Sequence, residues 1–114
     1  MEGKANEMFL DWITSKYFFK DKRYSNLNIY QKGDIGEFLR FPITKNAYII
    51  EWLDSVKLNA YIVPVKSGWF SCIRNVDNDL THGLFIDRES ATEAAIKKAV
   101  EIYNEKYKNN GTTN

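Results

Sequence analysis

The stretch Arg88–Lys108, RESATEAAIKKAVEIYNEKYK, carries the clearest structural pattern in the chain. Its small and apolar residues recur along one side of a helix: Ala91, Ala95, Ala99, Ile102 and Tyr103. Glu93, Lys97 and Glu101 alternate in charge on the other side, as on a solvated face. Ser90 and Glu93 match a capping box, in which each side chain bonds the backbone N–H of the other residue. The stretch therefore predicts a long amphipathic helix whose alanines allow close approach to a sheet.

Three β-like runs precede this helix, at Tyr61–Val65, Trp69–Val76 and Leu84–Ile86. Ser67-Gly68 and Asp77-Asn78-Asp79 match the turns that would join them. The short connections predict an antiparallel sheet, since parallel strands need much longer crossovers.

Alternation within the second run divides its side chains between the two faces of the sheet. One face receives Trp69, Ser71 and Ile73, and the other receives Phe70, Cys72 and Arg74. We therefore expect adjacent residues of this strand to have different environments.

A further amphipathic helix is predicted over residues 44–56, with Thr44 as its cap. Its apolar residues follow helical spacing: Tyr48, Ile49, Trp52, Leu53 and Val56. Residues 44–108 therefore have the predicted order α-β-β-β-α.

The N-terminal third is predicted to hold a helix over 6–17, capped by Asn6, and a hairpin over 24–41 that turns at Lys32-Gly33-Asp34. Pro42 would end the second strand of that hairpin, because proline has no N–H for a ladder. Residues 109–114 are expected to be a loose tail. We predict one α+β domain over 1–114, with helices packed on one face of an antiparallel sheet and the first helix at an edge.

Composition excludes a strong electrostatic field around the protein. The chain of 114 residues has 16 Lys and Arg against 15 Asp and Glu, for a formal net charge of +1. A single cysteine fits a reducing compartment, and no stretch resembles a signal peptide or a membrane span. We therefore expect a cytoplasmic protein that does not engage a membrane.

The sequence predicts no metal site, cofactor or catalytic group. Cys72 and His82 are the only cysteine and the only histidine, so one chain cannot assemble an ordinary Cys/His zinc site. A Cys72–His82 dyad on neighbouring strands remains as a third hypothesis, that of a hydrolase. Otherwise we expect a protein that is not an enzyme.

Binding to a protein partner, or to a second copy, is the leading functional hypothesis. Three Trp, seven Tyr and seven Phe in so short a chain leave aromatic side chains available for an interface. Trp69, next to a tight turn, and Phe70 are the candidate contact residues.

Nucleic-acid binding is the alternative. Cations and aromatics interleave in the segment 16–24, the composition that single-strand binding requires. The candidate residues are Lys16, Lys20, Lys22, Arg23 and Tyr24. The opposing interpretation is that the aromatics fill the core while the cations solvate a loop.

Two resemblances accompany these patterns. The order of elements over 44–108 resembles a double-stranded RNA-binding domain, as does the alanine pattern of the last helix, which consists of Ala91, Ala94, Ala95 and Ala99 with Val100. That resemblance implies duplex RNA binding, but Arg88-Glu89-Ser90 stands where the family carries a basic cluster. From about Tyr48 onward, the pattern with Trp52-Leu53 and FIDRESATEAAIKKA also resembles small uncharacterised proteins of phages and mobile elements of gut bacteria. It implies a small accessory protein and no particular activity.

Overall fold

Four α-helices and a three-stranded antiparallel sheet form the part of the chain that the structure describes. This computed structural model describes residues 1–75 and 78–112, with side chains through residue 107. The helices are α1 Gly3–Ile13, α2 Ile29–Phe38, α3 Pro42–Ser55 and α4 Arg88–Thr112, and the strands are β1 Leu58–Val65, β2 Gly68–Asn75 and β3 Asn78–Phe85. The predicted α+β class and the C-terminal α-β-β-β-α order are confirmed.

The sheet has the order β1-β2-β3, and its helix-covered face provides part of the core. Leu58 and Ala60 of β1 and Ile73 of β2 join a buried cluster with residues of all four helices. From α4 the cluster receives Ala95, Ile96, Ala99, Val100 and Tyr103. The predicted alanine stripe is confirmed, because Ala91, Ala95 and Ala99 are all buried. Their small side chains let the helix axis lie close to the strands.

α4 begins one residue after an aspartate that caps it. The Ser90 backbone N–H donates to Asp87 Oδ1 at 2.7 Å, and the Ser90 hydroxyl lies 3.1 Å from Asp87 Oδ2. These hydrogen bonds lower the pKa of Asp87. The predicted cap at Ser90 is therefore wrong, because Asp87 accepts from the first turn and leaves Ser90 inside the helix. The helix also continues through Thr112, which removes most of the predicted tail, and residues 113–114 lie outside the described part.

α1 starts earlier than the predicted helix and ends earlier. Its backbone is capped from α4, where Asn104 Oδ1 accepts the Ala5 N–H at 2.7 Å and Asn104 Nδ2 donates to the Glu2 carbonyl at 2.9 Å. Asn6 therefore does not cap it. After Ile13 the chain widens into a π-helical turn over Thr14–Phe18.

α1 packs against α3 and α4 rather than at an edge of the sheet. Its Phe9 ring lies 6.1 Å from the Trp52 ring of α3, which in turn lies 4.9 Å from the Tyr103 ring of α4. The chain of aromatic contacts joins the three helices into one layer. The expectation of an edge position is therefore corrected.

The predicted hairpin over 24–41 is wrong. The segment forms a short 3-10 turn at Tyr24–Asn26 and then α2. Asn28 and Gln31 form a reciprocal capping box at the start of α2, and both of its hydrogen bonds are 2.9 Å long. Ile35 inside α2 and Leu39, the C-cap residue that follows it, lie four residues apart and are both buried. The capping box and this burial therefore stabilise a helix, although Gly33 favours a turn.

Two further element boundaries differ from the prediction. Pro42 begins α3 instead of ending a strand, because the first helical position has no N–H to satisfy and suits proline. Thr44 is consequently inside this helix and does not cap it. β3 begins at Asn78 rather than at Leu84, so Asn78 and Asp79 belong to the ladder. Val76 and Asp77 of the predicted strand and turn lie outside the described residues.

Candidate functional site

The face of the sheet turned away from α4 carries a row of accessible apolar side chains. Val63 of β1 pairs with Phe70 of β2, and Phe70 pairs with Leu84 of β3, so the three side chains form one row across the whole sheet. Val63 is 37% exposed and Leu84 is 48% exposed, while Phe70 between them is half-buried. None of the three belongs to the buried core cluster. We call this surface the open face and these residues the apolar row.

A polar row lies at the other end of the open face. Arg74 of β2 pairs with Asn59 and with Asp79, and its Nε donates to Asp79 Oδ1 at 2.9 Å. The Tyr61 hydroxyl approaches the same carboxylate oxygen at 3.3 Å. Desolvation of the ring raises the pKa of Tyr61, with a further contribution from Asp79. The open face is therefore apolar at one end of the strands and carries the Arg74–Asp79 ion pair at the other end.

A β-bulge sets which residues of β3 reach the open face. Ser71 pairs with Gly83, whereas the next residue, Cys72, pairs with Thr81, so His82 is an extra residue in β3. Had the first register continued, Arg74 would oppose Leu80. The bulge brings Asp79 opposite Arg74 instead, and so makes the ion pair.

The sequence does not predict this bulge. Asp79 is predicted in a turn, and the pairing of two strands is not visible in either strand alone. The one local signal is Gly83, which has a φ of 138° that an L side chain rarely adopts.

The structure separates the two predicted protein-binding residues. Phe70 is the centre of the apolar row on the open face. Trp69 points to the opposite face, where it pairs with Phe85 and packs under the Arg88 guanidinium, 4.8 Å from the ring centroid. Trp69 is half-buried there. The alternation predicted for this strand is thus confirmed, and only Phe70 of the pair lies on the open face.

The predicted nucleic-acid segment is partly neutralised by acids from α1 and α3. Lys16 Nζ lies 3.1 Å from Glu51 Oε1, and the Tyr17 hydroxyl donates to the same carboxylate at 2.7 Å. The hydrogen bond from Tyr17, followed by that from Lys16, lowers the pKa of Glu51. The same bond raises the pKa of Tyr17 to about 12. A cation and an aromatic of this segment are therefore engaged within the fold.

Asp11 of α1 engages the far end of the segment. Arg23 Nη2 lies 3.2 Å from Asp11 Oδ2, and the Tyr24 backbone N–H donates to Asp11 Oδ1 at 2.9 Å. The Tyr24 ring packs against the core cluster. Lys20 and Lys22 are exposed. All four candidate cations are exposed, and the structure pairs two of them with acids, so no continuous basic groove forms along the described segment.

Cys72 and His82 lie on neighbouring strands, as the dyad hypothesis required. Cys72 is on the open face and is only 5% exposed, since its neighbours in β1, β2 and β3 cover it. Its partner across the ladder is Thr81, and His82 is the exposed residue of the bulge. The hydrolase hypothesis stays a prediction.

The described residues also contain no group of three or more His, Cys, Asp or Glu that could hold a metal ion. Within the same part of the chain, the helices are too short or too polar to cross a membrane.

Comparison with protein-family models, with curated proteins and with solved structures finds no match.

Proposed function

We propose that the protein is a small, non-enzymatic binding module that engages a protein partner through the open face of its sheet. The observation that carries the proposal is the apolar row Val63–Phe70–Leu84, which crosses all three strands and is covered by no helix of the described chain. A sheet is stable when both faces are covered or when the outer face is polar. Exposure of an apolar row to water on the outer face is therefore unfavourable, and binding of a partner would remove that exposure.

The partner that fits is an amphipathic helix of another protein. Neighbouring strands lie about 4.8 Å apart, so three strands span roughly 10 Å, which is close to the diameter of one helix. Such a helix would place apolar residues over the apolar row. Its polar end would lie near the ion pair of Arg74 and Asp79, because an apolar surface there would desolvate both charges at a cost.

Matched variants test the proposal. Phe70→Ser and Leu84→Ser remove apolar area from the open face, and Ile86→Ser removes a similar side chain that is 89% exposed just beyond β3. Each variant is immobilised and exposed to a lysate of the source cells, and retained proteins are identified by mass spectrometry. Thermal unfolding of each variant confirms that it is folded.

The expected result is one protein that the wild type and Ile86→Ser retain and both open-face variants lose. Its affinity, measured with purified protein by calorimetry, should fall at least about tenfold for Phe70→Ser, as for a central interface residue. Retention that is equal for all four proteins would contradict the proposal.

Nucleic-acid binding through the segment 16–24 is the alternative that the same material tests. Lys20 and Lys22 are its remaining exposed cations. Binding of a short single-stranded oligonucleotide that weakens with salt and is lost in the double variant Lys20→Gln and Lys22→Gln would favour it over the open face.

A further inference from the structure

β3 is an edge strand with a free outer side. Its only neighbour in the described sheet is β2, and six of its eight residues are exposed. Alternate residues of an edge strand direct their backbone N–H and C=O groups away from the sheet. From Asn78 to Thr81 these groups form a regular row of donors and acceptors, which the bulge at His82 interrupts, and the chemistry that matches such a row is another extended chain.

The two edge strands of this sheet, β1 and β3, differ in how readily they can pair with a further strand. The outer side of β1 includes Pro64, which has no N–H to donate and interrupts a ladder. β3 contains neither proline nor lysine, the two residues that most often protect an edge. Its one acid, Asp79, is already paired with Arg74 of β2. The first half of β3, before its bulge, is therefore an edge that can accept a strand, whereas Pro64 interrupts a ladder on the outer side of β1.

We propose that β3 pairs antiparallel with β3 of a second copy about a two-fold axis at Leu80, which joins two sheets into one of six strands. Opposed residues of antiparallel strands share a face. In this register Leu80 lies opposite Leu80 of the second copy, and Asp79 lies opposite its Thr81. The inference does not depend on the proposed function, because the open face stays accessible in the dimer.

Charge and exposure favour a second copy in this register. Leu80 is 44% exposed at the edge and would gain an apolar neighbour. Asp79 would face a neutral threonine, whereas a register centred on Asp79 would oppose two carboxylates. The net charge of +1 adds little repulsion between copies.

The outer edges of the six-stranded sheet would both be β1. Because Pro64 lies in each of them, pairing stops at two copies, and the assembly is a closed dimer rather than a fibre.

Charge variants at the two-fold axis test the pairing. Leu80→Lys and Leu80→Glu each place like charges opposite one another, so each variant alone should be monomeric, with a dissociation constant raised at least about tenfold over wild type. An equimolar mixture of the two should associate again, since Lys and Glu would then be opposed. Ile86→Lys adds the same charge outside β3 and should leave the association unchanged. Sedimentation equilibrium measures the wild type, the three variants and the mixture, and circular dichroism confirms the fold of each.

Hydrogen exchange of the wild type gives a second measurement that needs no variant. Amides of β3 should gain protection as the protein concentration rises, while those of β1 should not. A wild type that stays monomeric up to about 1 mM would overturn the proposal. So would Leu80 variants that still self-associate, or a mixture that does not.

Discussion

Phe70 and Ile73 lie on the same strand but on opposite faces, and the fold implies very different effects when each is replaced by alanine. Ile73 is completely buried in the core beneath α4. Removing three carbons there costs about 2.4 kcal/mol in transfer free energy at about 0.8 kcal/mol per carbon, and the cavity adds to it. We expect Ile73→Ala to lower the free energy of unfolding by about 3–4 kcal/mol.

The Phe70 side chain has neighbours within the sheet but does not pack against the buried core. Its stabilising contacts are the cross-strand pairs with Val63 and Leu84, each of which contributes roughly 0.2–1 kcal/mol relative to alanine. We therefore expect Phe70→Ala to cost about 1 kcal/mol. In thermal unfolding the two losses correspond to about 10–20 °C for Ile73→Ala and about 3–6 °C for Phe70→Ala in a domain of this size.

Urea unfolding followed by tryptophan fluorescence measures both variants in one experiment, with the slope of the transition confirming that each unfolds from the same compact state. The reasoning fails if Phe70→Ala costs as much as Ile73→Ala. That result would show that the face opposite α4 is buried, and it would remove the surface on which the proposed function rests.

Two further predictions concern the helices. The pKa of Glu51 is lower in the folded chain than its ordinary value of 4.5, so its contribution to stability is fully present above that pH and is lost as the pH falls through the folded value. The difference in urea midpoint between wild type and Glu51→Gln should therefore shrink from pH 6 to pH 3, and a constant difference would contradict the role of its bonds to Tyr17 and Lys16. Gly33 and Gly36 lie inside α2 with open space where a Cβ would be, so alanine at either position should raise the free energy of unfolding by roughly 0.5–1 kcal/mol. Unfolding midpoints that do not rise would show that α2 is not a stable helix in solution.

The C-terminal half was the more predictable part because its signals are redundant. In α4 the alanine spacing and the charge alternation both indicate a helix, and in β2 the alternation of eight residues indicates a two-sided strand. Phe70 is a candidate as an aromatic residue beside Trp69, and the alternation assigns it to the opposite face of the strand.

The segment 24–41 was predicted wrongly because its signals conflict. β-branched and aromatic residues with Lys32-Gly33-Asp34 favour a hairpin, whereas Asn28 and Gln31 favour a helix. The local pattern does not show whether the hairpin or the helix is more stable. Burial of Ile35 and Leu39 against the core stabilises the helix.

Residue order alone was sufficient for features that depend on neighbours in the chain: the class of the fold, the two faces of β2 and the alanine side of α4. It was insufficient wherever a partner distant in sequence completes the structure. Asn104 caps α1 across about a hundred residues, Asp11 and Glu51 neutralise two cations of the segment 16–24, and the bulge at His82 aligns Asp79 with Arg74. The exposed face of β2 is also set by residues distant in sequence, because α4 can cover only one face of the sheet. Packing of α1, α3 and α4 into one layer leaves the apolar row on the other face.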